Sequence, residues 1–278
     1  RLVGPVTANE WQWYNWTGGP INSGGVNYPW LKFFIKRVAE EQQASGVRLL
    51  DVLDIHFYPS NSTVANVVQY HRVFFDKEYI FPEANGVKNV NGSWDNNQNK
   101  EYILERCREW LEQYMGADHG VKFSVTETGI PDIGPNGIAV WYASTLGEFM
   151  RQPDMEIFAP WHWYPQMWEV LHLFSHYNKT TYVKSTSSDE LSVSAYPTIN
   201  AAEDSITVVL VNPATAAKTV DLTFNGFTLA GQSFDMLRLS NLSTSETFIS
   251  HQTNALQEST VQKTGNAISV SLAGLSTT

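Results

Sequence analysis

Four short stretches of this 278-residue chain carry side chains that could do chemistry on a neutral, hydroxyl-rich ligand. They are Asn9-Glu10 followed by Trp11, His56-Phe57-Tyr58, Glu127 between Thr126 and Thr128, and Trp161-His162-Trp163-Tyr164. A carboxylate can attack carbon or move a proton, an imidazole can orient that carboxylate near neutral pH, and a flat indole stacks on a sugar ring. Glu127 is the candidate catalytic group. It follows the apolar run 121–126, where a carboxylate is costly to bury unless hydrogen-bonded, and Thr126 and Thr128 stand beside it as donors. The competing reading, a glutamate neutralised by a nearby lysine or arginine, is weakened by the scarcity of basic residues at the strand ends. Glu10 beside Trp11 reads either as a ligand contact or as a loop cap. His56 alone would read as a core histidine, but it shares a strand edge with Glu127, so His56 and Tyr58 join Trp161 and Trp163 as candidate substrate contacts.

These residues need elements to position them. An opening strand over 2–6 gives way to a Gly-rich loop over 18–25, and Pro29 starts a helix with Trp30, Phe33, Phe34 and Val38 on one stripe. The run LLDVLDIHFY over 49–58 is apolar at nearly every position, as in a strand covered on both faces. Further helices are expected over 64–75, 100–115 and 138–150, a Gly/Asn-rich loop over 85–97, and strands over 121–126 and 155–164. Cys107 falls on the stripe of the 100–115 helix and reads as a small core residue. Strands alternating with helices define an α/β fold with a parallel sheet, and its loops converge on one face at the carboxyl ends of the strands, where all four stretches lie. From residue 184 the pattern becomes short alternating runs such as 205–211 and 219–224, which predicts an all-β sandwich. The expected domains are therefore 1–183, carrying the site, and 184–278.

Composition narrows the partners. With 28 acidic against 18 basic residues the net charge is −10, which repels phosphate backbones and anionic lipid and argues against nucleic acid and membrane surfaces. No phosphate-cradling loop, paired-histidine zinc helix or Gly-x-Ser-x-Gly elbow occurs, so neither metal nor cofactor is expected. No apolar run is long enough to span a bilayer. The ten Trp residues, many beside strand-end loops, favour sugar over any phosphorylated metabolite. Five Asn-x-Ser/Thr sequons begin at Asn15, Asn61, Asn91, Asn178 and Asn241, a weak signal in an Asn- and Thr-rich chain.

GPV with its aromatic-rich loop, LLDVLDIHFYP, VTETG and FAPWHWYP, leading into a β-sandwich, together resemble the later part of glycoside hydrolase family 44. The resemblance implies a retaining endo-β-1,4-glucanase, acting on cellulose, carboxymethylcellulose, xyloglucan or xylan, built from a (β/α)8 barrel and a sandwich and secreted to the cell exterior. Within it Glu127 matches the nucleophile at the end of the seventh barrel strand, His56 and Tyr58 the sixth-strand wall, and Trp161 to Tyr164 the eighth-strand wall. A retaining glycosidase also needs a proton donor about 5 Å from the nucleophile. Counting back from Glu127 makes 49–58 the sixth strand and 2–6 the fifth, so the acid/base glutamate of strand four would precede Arg1, and Asn9-Glu10 sits one strand too late. The chain then holds the second half of a barrel, whose open edges and apolar face call for a cover: an upstream half, a second copy, or a rearranged fold. The alternative function is a noncatalytic glucan-binding fragment without a proton donor.

Overall fold

In the computed structural model, β1 (Val3–Thr7) leads through a short helical turn, α1 (Trp11–Tyr14), and a hairpin of β2 (Ile21–Ser23) and β3 (Val26–Tyr28) into α2 (Trp30–Ser45). There follow β4 (Val52–Phe57), α3 (Val64–Val67), a 3-10 turn at Tyr70–Val73, the hairpin of β5 (Val87–Lys88) and β6 (Trp94–Asp95), and α4 (Ile103–Met115). Next come β7 (Lys122–Thr128), α5 (Pro135–Met150), β8 (Met155–Phe158) and α6 (Pro165–Tyr177). The remaining strands are β9 (Thr181–Tyr182), β10 (Ser194–Ile199), β11 (Ile206–Asn212), β12 (Lys218–Thr223), β13 (Ser233–Arg238), β14 (Gln257–Thr264), β15 (Ala267–Leu272) and β16 (Ser276–Thr277). The structure describes residues 1–84, 87–88, 94–95, 100–161 and 163–278, with the backbone alone at 87–88 and 94–95. Most of the loop expected over 85–97, the sequon at Asn91 and the candidate His162 lie outside the described residues.

Packing divides the chain into two compact units that interleave in sequence: Arg1–Asn61, Tyr70–Pro131 and Pro153–His162 form one, and Ser62–Gln69, Asp132–Gln152 and Trp163–Thr278 the other. In the first, β1, β4, β7 and β8 lie side by side, all parallel, in the strand and helix alternation of a partial (β/α) barrel. All six residues of β4 are buried, as a central parallel strand requires. Gly46 ends α2 in the left-handed region at φ 69°, its N–H bonding the Gln42 carbonyl at 2.9 Å. The Gln42 side chain then accepts the Leu49 and Leu50 N–H groups at 2.7 and 3.1 Å, turning the chain into β4. Arg48 bonds Asp51 and donates to the carbonyls of His119 and Gly120, while Asp51 accepts the Leu2 N–H, so the starts of three strands are tied in register. Aromatics fill one side of the sheet: Phe57 meets Trp13, Tyr70, Phe74 and Phe81 with ring centroids 5.3–6.3 Å apart. The α4 stripe is buried as the spacing predicts, and burial pushes the Cys107 thiol well up, so it stays protonated. The helix expected over 64–75 is not continuous; it breaks into α3 and the 3-10 turn, which fall in different units.

The second unit holds two antiparallel sheets, β16-β11-β10-β9 and β12-β15-β14-β13, around a core of Val193, Leu210, Leu229, Ile268, Val270 and Leu272. The helices α5 and α6 belong to this unit, where they pack on each other and α5 packs on β10, β11 and β16. One contact in this unit depends on pH. Glu169 of α6 is fully buried and accepts the Ala255 N–H at 2.7 Å, but its other oxygen and both oxygens of Glu246 are shut away from solvent with no donor except one another's carboxyl. Burial first, then the hydrogen bond with Glu246, raises the Glu169 carboxyl to about 7, so the two groups share a proton. A carboxyl raised in the folded state favours folding below its folded value, and that contribution is lost as pH rises from the ordinary carboxylate range through about 7. Glu169→Gln, which keeps the acceptor for Ala255 and adds a donor for Glu246, should therefore gain about 1–2 kcal/mol over the parent at pH 8 and nothing at pH 5, as read by urea unfolding. Equal gains at both pH values would show that no proton is shared.

Candidate active site

The parallel sheet places Asp54, His56 and Tyr58 on one face of β4 and just beyond its end, because alternate residues of a strand share a face. Getting Glu127 onto that face takes an irregularity in β7. Asp54 pairs with Ser124 and Ile55 with Val125, but His56 pairs with Glu127, so Thr126 is an extra residue. The bulge turns Glu127 toward His56 and keeps Thr126 on the same side. The sequence expectation had Glu127 in the loop after the strand; it lies within β7. A second bulge falls in β1 between Pro5 and Thr7, where the β-branched Val6 is held in the left-handed region at φ 62°, a strained conformation of the kind that gathers at functional sites. Beyond it the Thr7 hydroxyl receives the His56 N–H at 3.4 Å.

Around Glu127 the donors are side chains of β4. The Tyr58 hydroxyl donates to Glu127 Oε2 at 3.0 Å, and His56 Nδ1 stands 3.4 Å from the same oxygen. Burial first, then the Glu127 carboxylate, push the Tyr58 phenol far up, so it stays a proton donor. The flanking threonines do not serve Glu127 as expected: Thr126 Oγ1 donates to Asp54 Oδ2 at 2.5 Å and Thr128 Oγ1 to the Phe57 carbonyl at 2.8 Å. Asp54, fully buried, also takes the Ser124 hydroxyl at 2.5 Å and the Thr126 N–H at 3.1 Å. Since the single hydroxyl proton of Thr126 goes to Asp54, its oxygen can only accept from His56 Nε2, 3.3 Å away. Nε2 thus faces Thr126 and Nδ1 faces Glu127, and only an imidazolium, with a proton on each nitrogen, donates to both. Asp54 and Thr126 are thus supporting residues that sequence reasoning missed, although the spacing Asp54, His56, Tyr58 in an apolar run was the signal for them.

Trp161 lies at the same edge: its N–H bonds the Thr128 carbonyl at 2.8 Å, one residue past Glu127, and its side chain is 60% exposed. Glu10 precedes α1 without a side-chain capping bond, which removes the capping alternative. Its Oε2 is closed off from solvent with no hydrogen-bond partner among the described residues, and burial, with a smaller push from Glu83, raises the carboxyl above the usual carboxylate range. Glu83 itself is held by Ser60, Asn61 and Tyr70 at 2.5–2.9 Å. Trp11 starts α1 and is partly exposed, whereas Trp13 beside it is core. Trp163, 75% exposed, belongs to the second unit and meets Trp168 there with ring centroids 5.5 Å apart.

A carboxylate thus stands at the carboxyl edge of a parallel sheet, bonded by a tyrosine, faced by a histidine and with an exposed tryptophan at the same edge, where the loops of a (β/α) barrel hold ligands. Comparison with known proteins agrees with the resemblance read from the sequence. Residues 1–61 match the sequence model of glycoside hydrolase family 44. Among solved structures, the chain is similar to the family 44 endoglucanase from Clostridium thermocellum (TM-score 0.75, 18% identity, 99% of this chain and 55% of that one). It is also similar to a bifunctional glucanase-xylanase from a metagenome library (TM-score 0.73, 19% identity, 99% and 54%) and to a family 44 xyloglucanase from Paenibacillus polymyxa (TM-score 0.70, 16% identity, 91% and 50%). No curated protein matches. The chain spans about half the length of the solved structures it matches. At these identities the likeness establishes the shared fold.

Proposed function

We propose that this chain supplies the nucleophile side of the active site of a retaining glycoside hydrolase that cleaves β-1,4-linked glucan, cellulose or xyloglucan among them, outside the cell. The observation that carries it is the Glu127 carboxylate, about one-third exposed at the sheet edge and bonded on one oxygen by Tyr58 at 3.0 Å, with His56 Nδ1 3.4 Å from the same oxygen. The other oxygen attacks the anomeric carbon, the C1–O bond to the leaving sugar breaks, and water then releases the glycosyl group from Glu127. Trp161 and Trp11 offer flat faces for neighbouring rings. The proton for the leaving oxygen comes from a carboxyl outside this chain, in an upstream barrel half or a second copy.

A substrate that needs no such proton tests this directly. With a 2-fluoro cellobioside carrying a dinitrophenolate leaving group, the chain should release one equivalent of phenolate and gain the mass of one glycosyl unit on the peptide holding Glu127. Cellobioside binding with no adduct would instead favour the noncatalytic glucan-binding reading. Tyr58→Phe removes one of the two contacts and should slow adduct formation about 10- to 100-fold, the worth of one hydrogen bond to a charged group. An unchanged rate would separate Tyr58 from the chemistry.

A further inference from the structure

Behind the His56 ring lies a second carboxylate. Asp54 is fully buried in the middle of β4, and no lysine or arginine among the described residues pairs with it. Its donors, the Ser124 hydroxyl and the hydroxyl and N–H of Thr126, are all neutral, and a buried charge held by neutral donors alone is costly. The group beside it that can carry a positive charge is His56, itself 7% exposed. His56 Nε2 stands 4.0 Å from Asp54 Oδ2, with the Thr126 hydroxyl bridging them, and Nδ1 stands 3.4 Å from Glu127 Oε2 on the other side of the ring. The row therefore runs carboxylate, hydroxyl, imidazole, carboxylate. Both neighbours of the ring are acceptors, because the Thr126 proton is directed to Asp54 and a carboxylate has none to give.

We propose that Asp54 is a positioning residue: through Thr126 it keeps His56 an imidazolium beside Glu127, and so hastens release of the glycosyl group from Glu127 relative to its capture. The rate effect rests on the glycosidase reading; the charge on His56 does not. When Oε1 bonds to the anomeric carbon, Glu127 gives up its negative charge and Oε2 becomes the carbonyl oxygen of an ester. When a nucleophile then displaces the sugar, the C1–Oε1 bond breaks and its electron pair returns to the carboxylate, partly on Oε2. A positive charge held at Oε2 stabilises the carboxylate over the ester, so it resists the first change and favours the second. In Asp54→Asn the side-chain oxygen still accepts from Ser124 and the Thr126 N–H. Its amide N–H donates to the Thr126 oxygen and turns that hydroxyl proton toward His56 Nε2. The ring then keeps a single proton, on Nδ1, and the row loses its positive charge with its shape intact.

Two measurements on the full chain test this. Heteronuclear NMR of the histidine ring nitrogens should show protons on both nitrogens of His56 in the parent and on Nδ1 alone in Asp54→Asn. With the 2-fluoro cellobioside, adduct formation is timed by phenolate release, and adduct loss by transfer of the sugar to azide, an anion that needs no general base and leaves as the glycosyl azide. Asp54→Asn should slow loss relative to formation about 10- to 100-fold, the worth of one hydrogen bond to a charged group. A residue that only shapes the strand would lower both rates together and leave their ratio unchanged. That result, or a neutral His56 ring in the parent, overturns the proposal. If Asp54→Asn does not fold, Thr126→Val, which takes the hydroxyl out of the row, should shift the ratio the same way, and an unshifted ratio there overturns it equally. A parent that forms no adduct refutes the glycosidase reading and the rate effect with it, whereas the spectrum alone decides the charge on His56, so the two failures are told apart.

Discussion

Glu127→Gln should leave a folded chain that forms no glycosyl adduct and, in the assembly that hydrolyses β-glucan, lowers turnover by at least about 10⁴-fold. Glutamine has the shape of glutamate and its carbonyl oxygen can still accept the Tyr58 hydroxyl, so the local packing survives. An amide oxygen, however, is a far weaker nucleophile and its carbonyl cannot leave again as a stable carboxylate. Because the side chain is about one-third exposed and no lysine or arginine among the described residues is paired with it, the substitution strands no buried charge. Its melting temperature should match the parent within about 1 °C, since substitutions that leave packing intact stay within about 0.5 kcal/mol. Phenolate release from an activated cellobioside, followed with intact mass, reads the result. An adduct that persists in the variant would assign the nucleophile to another residue.

Gly147→Ala should destabilise the second unit by about 3 kcal/mol or more, the upper range for forcing extra volume into a packed interface. Gly147 is buried near the end of α5, and a Cβ there would lie 2.3 Å from the Tyr196 ring of β10. Tyr196 has little room to yield: it is 1% exposed, its hydroxyl donates to the Ser144 carbonyl at 3.4 Å, and the Arg151 guanidinium covers its ring 4.8 Å from the centroid. Helix propensity alone would make alanine the better residue by about 1 kcal/mol, so the sign of the effect distinguishes packing from propensity. A chemical denaturation curve with an unshifted or raised midpoint would show that the helix and sheet can part enough to admit a methyl group.

Much of the site could be read in the sequence because parallel strands obey a two-residue period. In LLDVLDIHFY the polar residues Asp54, His56 and Tyr58 fall on one face, and VTETG announces the end of the neighbouring strand. What could not be read is the bulge at Thr126, since a threonine in an extra-residue position looks like any threonine in a strand. Missing it led to the expectation that Thr126 and Thr128 serve Glu127, when they bond Asp54 and the Phe57 carbonyl. α6 carried an ordinary start signal, Pro165 at its first position, which the preceding aromatic cluster obscured. The interleaving of the two units was not legible either. The local pattern near residue 184 changes from helix and strand to strand alone, but whether α5 and α6 pack on the strands before or after them is decided by tertiary contacts such as Gly147 on Tyr196.

The one-residue offset in β7 also bears on how such a chain could lose or regain its chemistry. Deleting Thr126 would restore plain pairing with β4 and leave the carboxylate opposite His56, but it would remove the hydroxyl that stands between Asp54 and the His56 ring. A single codon lost would thus strip the support from the imidazole without touching the acidic residue itself.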